Sequence, residues 1–260
     1  MSADVTNDAW SNLRRLTPAR LALGRAGSAL PTSEVLAFAL AHARARDAVH
    51  VPLDTAALEQ ACRAWGFDTI HVRSAARDRA TYLHRPDLGR KLNQNDAVSL
   101  LRRGGPFDLA IVVADGLSGP AVQTNAPPML EALKPYLDAS KLCVAPVVIA
   151  EQARVALGDE IGASLRARMS VVLIGERPGL SSSDSLGIYL TLAPRMGCTD
   201  AGRNCISNIR PAGLDCQTAA RRLFWLIEEA FRVGKSGVDL KDASDLRLAA
   251  PNLLPIVTAK

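Results

Sequence analysis

Apolar residues recur at helical spacing along the first third of the chain. Val35, Leu36, Ala39, Leu40 and Ala43 share one face behind Ser33, a good N-cap, and Pro52 closes the segment. Asp54 is placed to cap a second helix through Leu58, Ala61 and Cys62, which Gly66 ends. Ahead of both, the stretch from Thr17-Pro18-Ala19-Arg20 to Gly24-Arg25-Ala26-Gly27 reads as a short helix followed by a glycine-rich loop. From about Phe67 the pattern changes to strands alternating with helices. Ile70 and Val72 alternate with polar neighbours, as in an exposed strand, while 108–114, 144–150 and 170–174 are nearly continuous apolar runs, as in buried parallel strands. Helix-like stretches lie at 128–137 and 159–168, and 186–192 alternates like another strand. Leu223, Leu226, Ile227, Ala230 and Phe231 line a long helix that starts near Asp215 and that Gly234 is placed to stop.

Short connections between alternating strands and helices predict an α/β protein. A small N-terminal helical region over 1–66 precedes a doubly wound, mostly parallel, Rossmann-like sheet domain over 67–260. After Gly237 the periodicity fades, and Pro251 and Pro255 predict an extended segment lying on a surface, its own or a partner's.

Composition narrows the function. The 260 residues, 48% hydrophobic, can bury a sizeable core. The apolar runs are too short to span a bilayer, and the polar first ten residues lack a signal peptide's apolar region, so the chain is expected to be soluble and cytoplasmic. The net charge of +5 comes from bases interleaved with acids, and aromatics make up only 4%, so no platform for stacking nucleic-acid bases is present. The five cysteines include no CxxC pair, which speaks for reduced thiols and against a zinc site or disulfide framework.

Ligands of open parallel sheets bind beyond the carboxyl ends of the strands. Three expected loops lie there: Asp115-Gly116-Leu117-Ser118; Gly175-Glu176-Arg177-Pro178-Gly179-Leu180 with the serines after it; and 203–210, which holds Cys205-Ile206-Ser207-Asn208. Each has a plainer reading. Asp115-Gly116 is equally a turn with a helix cap, Glu176-Arg177 a local ion pair, and Cys205 a buried small hydrophobe. No GxSxG, GxxxxGK[ST], HExxH or GxGxxG motif occurs, and none of the four histidines stands in the D-x-H-x-x-G motif of folds that place a protein histidine on cobalt. Motifs alone describe a cytosolic α/β ligand-binding or interaction protein.

These loops carry a resemblance to the small subunit of ethanolamine ammonia-lyase. Thr17-Pro18-Ala19-Arg20 with Gly24-Arg25-Ala26-Gly27, Arg85-Pro86-Asp87-Leu88-Gly89-Arg90, Asp115-Gly116-Leu117-Ser118, Gly175-Glu176-Arg177-Pro178-Gly179-Leu180 and Cys205-Ile206-Ser207-Asn208 follow the family's order. The resemblance implies a non-catalytic subunit that closes over base-on adenosylcobalamin. A TIM-barrel large subunit would hold ethanolamine and the radical chemistry that yields acetaldehyde and ammonia, with six of each subunit. Its cofactor contacts fall on Glu176, on Cys205 and on Val155, in Ala153-Arg154-Val155 where the family more often has Gly-Arg-Val. No catalytic residue and no metal ligand is assigned to this chain. Enterobacterial members carry a longer N-terminal extension tied to packaging in a bacterial microcompartment. Only about sixteen residues precede Thr17 here, which departs from that pattern, so the expected location is the cytoplasm, with the microcompartment kept as the alternative. The reading from another class is a stand-alone small-ligand-binding or regulatory protein that uses the same crevice.

Overall fold

The computed structural model describes residues 5–244; the segment around Pro251 and Pro255 lies outside them. The first long helix, α1 (Thr32–His50), begins one residue ahead of Ser33, which sits in its first turn instead of capping it. Its expected apolar face is not packed inside the chain: Leu36 is 64% exposed, Leu40 52%, and Ala48 is its one buried residue. Residues 17–23 form no helix. Pro18 and the left-handed Gly24 (φ +76°) interrupt the run, and Thr6 and Arg25 exchange backbone hydrogen bonds that fix an irregular segment. Helix α2 (Thr55–Ala64) follows expectation. Asp54 accepts the Ala57 N–H at 3.0 Å, Leu58 and Cys62 turn inward, and Gly66 (φ +77°) ends the turn.

Then come β1 (Thr69–Arg73), α3 (Arg79–His84), α4 (Gln94–Arg103), β2 (Phe107–Ala114), α5 (Gly119–Ala139), β3 (Val147–Glu151), α6 (Leu157–Ser164), β4 (Ala167–Gly175), β5 (Leu186–Leu192), β6 (Arg203–Ile209) and α7 (Cys216–Val233). Helix α5 is far longer than 128–137, because Ser118 caps it and Pro127 and Pro128 are carried inside it. Helix α6 stops short of 168, where the chain already runs in β4.

The sheet order is β1-β3-β2-β4-β5-β6. The first four strands are parallel, whereas β5 and β6 each run antiparallel to the strand before. The linkers 176–185 and 193–202 fall short of the dozen or so residues that a parallel crossover needs, so the chain turns straight back. Residues 203–210 are therefore mostly strand, not loop. Arg203 disguised it: the side chain is buried, and Asp159 grips it through two bonds of 2.6 and 2.7 Å. Between Leu186 and Ile188 the β5–β6 register shifts, so that Ile188 faces Ile206 and Leu186 faces Ile209. This is a β-bulge with one extra residue on β6.

Residues of β2 alternate between two cores. Leu109, Ile111 and Val113 pack with Leu58, Met129, Leu133 and Ile227 on the α2, α5 and α7 side. Ala110, Val112 and Ala114 pack with Leu100, Leu157 and Ile161 under α4 and α6. Helices on both faces make the sheet doubly wound, with its parallel strands ending at one edge. No helix among the described residues is long and apolar enough to cross a membrane.

Candidate functional site

The loops after β2, β3 and β4 meet at that edge, and one carboxylate braces two of them. Asp115 is buried, and its two oxygens accept the Gln152 N–H at 2.8 Å and the Ala153 N–H at 2.9 Å. Burial pushes the carboxyl up to about 6, against the pull of the Ala153 amide and the Arg79 guanidinium 3.4 Å away. Arg79 also donates to the carbonyls of Gly116 and Val49. Asp115 is thus a strut between loops, while the helix cap is Ser118, whose hydroxyl accepts the Ala121 N–H and donates to the Ser183 carbonyl.

Val155, from the loop after β3, and Glu176, from the loop after β4, line one cleft of about 430 Å³ with Tyr82, Arg154 and Tyr189. The local ion pair expected as the plainer reading of Glu176 does not form. Instead, Glu176 Oε2 accepts the Ser185 hydroxyl and, at 3.3 Å, the Asn208 N–H from the bulge of β6. Its Oε1 takes no hydrogen bond among the described residues. It lies over Gly187, where a Cβ would approach it to 2.8 Å. Gly175 belongs to the packing of the fold, since a Cβ there would sit 2.1 Å from the Ser118 carbonyl oxygen. Gly179 is open: a Cβ there would meet nothing nearer than the Ser182 carbonyl oxygen at 3.5 Å.

Cys205 is exposed rather than buried, and its Sγ lies 3.1 Å from Ser207 Oγ. It is not among the residues lining the cleft. It pairs across the sheet with Tyr189, which is. Burial first, and then Cys205 and Glu176, hold the Tyr189 hydroxyl well above its ordinary range. The structure therefore brings Val155 and Glu176 into one cleft and sets Cys205 one side chain behind it.

Tyr82, Arg154 and Tyr189 are wall residues that sequence reasoning missed. Arg154 stood beside Val155 in a quoted motif, whereas Tyr189 showed only as a strand position. The Arg154 guanidinium lies 4.3 Å above the Tyr82 ring. With Val155 and Tyr189 it also walls a second chamber of about 700 Å³ that extends to Arg203. The two chambers share these three residues as walls.

Residues 7–241 match the family model described as ethanolamine ammonia-lyase light chain (EutC). Among curated proteins, the chain is 58% identical over 246 residues to the ethanolamine ammonia-lyase small subunit of Azotobacter vinelandii, covering 93% of this chain and 91% of that one. It is 54% identical over 250 residues to the protein of the same name from Ralstonia nicotianae, covering 95% and 93%. The Pseudomonas aeruginosa protein of that name is 55% identical over 242 residues, covering 92% and 89%.

Proposed function

The chain belongs to the ethanolamine ammonia-lyase light chain family, and on that premise we propose that its part in this lyase is to hold adenosylcobalamin against a large subunit that carries the substrate. The observation that supports the reading most is the meeting of Val155 and Glu176, far apart in sequence, in one cleft at the carboxyl edge of the parallel strands. A corrin is a broad disc rimmed by amides, with a ribose-phosphate-benzimidazole tail. It calls for a wide crevice, acceptors for amide and hydroxyl protons, and a donor for phosphate.

The residues present suit it. Two adjacent chambers that share Arg154, Val155 and Tyr189 offer the width, and Glu176 Oε1 is an acceptor with nothing bound to it among the described residues. The Nε of Arg154 is a buried donor without a partner among the described residues. When bound, adenosylcobalamin supplies the radical, by homolysis of its cobalt–carbon bond, that turns ethanolamine into acetaldehyde and ammonia. This chain's residues bind, orient and exclude water. Ser185 and Asn208 fix one carboxylate oxygen of Glu176 so that the other is held ready for a corrin amide or a ribose hydroxyl. Val155 and the tyrosine rings give the cleft apolar walls, which keep water from reactive intermediates.

Glu176→Gln tests the reading. The amide oxygen of glutamine can still serve Ser185 and Asn208, so the melting temperature of the assembled complex without cofactor should not move. A lost charge-assisted hydrogen bond should weaken adenosylcobalamin binding by about tenfold to a hundredfold in a spectroscopic titration. An unchanged dissociation constant would remove Glu176 from the site.

A further inference from the structure

The motif from Arg85 to Arg90 lies outside the lining of the Glu176 cleft. Its place in the fold nevertheless gives it a role. The Gly89 carbonyl accepts the Arg154 N–H at 2.8 Å. A Cβ on Gly89 would lie 2.9 Å from the Tyr82 ring and 3.0 Å from Arg154 Cγ. Only glycine leaves room for the arginine to lie across the tyrosine. There Nη2 reaches the Tyr82 carbonyl at 3.4 Å, and Nε is buried without a partner among the described residues.

Four acids and four bases line the 700 Å³ chamber, but they are not paired one to one. Its acids are engaged: Asp87 by Arg85 at 2.8 Å, Asp159 and Asp200 by Arg203, and Glu160 by the Leu92 N–H at 2.7 Å. Of its cations, only Arg203 is matched. Arg154, Arg90 and Lys91 have no carboxylate at ion-pair distance among the described residues, and Lys91 acts on Asp87 only as a minor influence behind Arg85. The three bases without a carboxylate partner, Arg154, Arg90 and Lys91, line one chamber, and a planar guanidinium suits a phosphate that offers two oxygens.

We propose that Arg154, seated by Tyr82 and Gly89 and aided by Arg90 and Lys91, forms a subsite for the phosphodiester in the nucleotide tail of the cofactor. This rests on the cobalamin reading of the adjoining Glu176 cleft, with which the chamber shares Arg154, Val155 and Tyr189.

The test is an absorbance titration of the complex assembled with the large subunit, using adenosylcobalamin and adenosylcobinamide, which has the corrin and adenosyl group but no phosphate. Arg154→Gln should weaken adenosylcobalamin by about tenfold or more and adenosylcobinamide by less than about threefold. Gly89→Ala should show the same selectivity by displacing the arginine. Should either variant fail to fold, the double variant Arg90→Gln/Lys91→Gln, at exposed positions, should still lose adenosylcobalamin selectively. Equal weakening of both corrinoids, or of neither, would overturn the subsite. Inorganic phosphate should compete with adenosylcobalamin but not with adenosylcobinamide. If it bound alongside adenosylcobalamin without competing, the site would belong to a free anion and the assignment would fall. A wild-type complex that binds neither corrinoid would sink the cofactor reading itself, and the subsite with it.

Discussion

Asp115 shows how one residue can shape a site it does not line. From the sequence it was either a turn residue or part of a ligand loop. Its actual work, gripping two amides beyond the next strand, depends on the pairing of β2 with β3 and has no local signal. Because its carboxyl is raised to about 6 from an ordinary value of 3.8, the folded state holds more protons than the unfolded chain between those values. Its contribution to stability is therefore fullest below about pH 4 and declines as pH rises through about 6, by up to about 3 kcal/mol. Asn at this position does not titrate. The stability gap between wild type and Asp115→Asn should narrow from pH 4 to 7 in denaturant melts. A gap that widens would mean that the Arg79 ion pair outweighs burial. The same variant leaves one of the two amides without an acceptor, and so loosens the loop that carries Arg154 and Val155.

At the scale of elements, the end of β4 depends on the loop after β2. The two glycines flanking Glu176 and Arg177 look alike in sequence but differ in the fold. Gly175→Ala would drive a methyl into the Ser118 carbonyl and should cost about 1–3 kcal/mol, lowering the melting temperature. Gly179→Ala has room and should stay within about 0.5 kcal/mol of wild type. If both are silent, the β2 loop is not packed against β4 as described. Strands with unbroken apolar runs, and helices with Asp54, Asp215, Gly66 or Gly234 at their ends, were legible because their signals are local. β6 was not, because its buried Arg203 and its bulge break the alternation that marks a strand. The direction of β5 was hidden too, since it follows from linker length. Of the expected site residues, Val155 and Glu176 came from the family's motifs alone; that they line one cleft depends on the sheet and had no local signal.

For the molecule as a whole, the surface of α1 is the anomaly. Val35, Leu36, Phe38 and Leu40 are all exposed on it, although the sequence pattern promised a packed face. Such a patch on an isolated chain promotes association. Purified without its large subunit, the protein should scatter light and elute as large species, and Leu36→Glu/Leu40→Glu should reduce both with little change in melting temperature, since these side chains contribute little to the chain's own core. Unaltered aggregation in that variant would move the cause elsewhere. The isolated chain should also release no ammonia from ethanolamine at saturating adenosylcobalamin. Turnover by the chain alone would end the view of it as an accessory subunit.

The bulge between β5 and β6 has a consequence for inheritance. The extra residue lets Ile206 and Ile209, three apart, both face inward, and it puts Asn208 at φ +62° with its N–H on Glu176. Losing one residue here would straighten the strand and withdraw that amide. Gaining one would turn the inward isoleucine out toward solvent. Substitutions can drift along this stretch while its length cannot. Among descendants of this chain, insertions and deletions should be purged between positions 206 and 209, even where the letters themselves have changed.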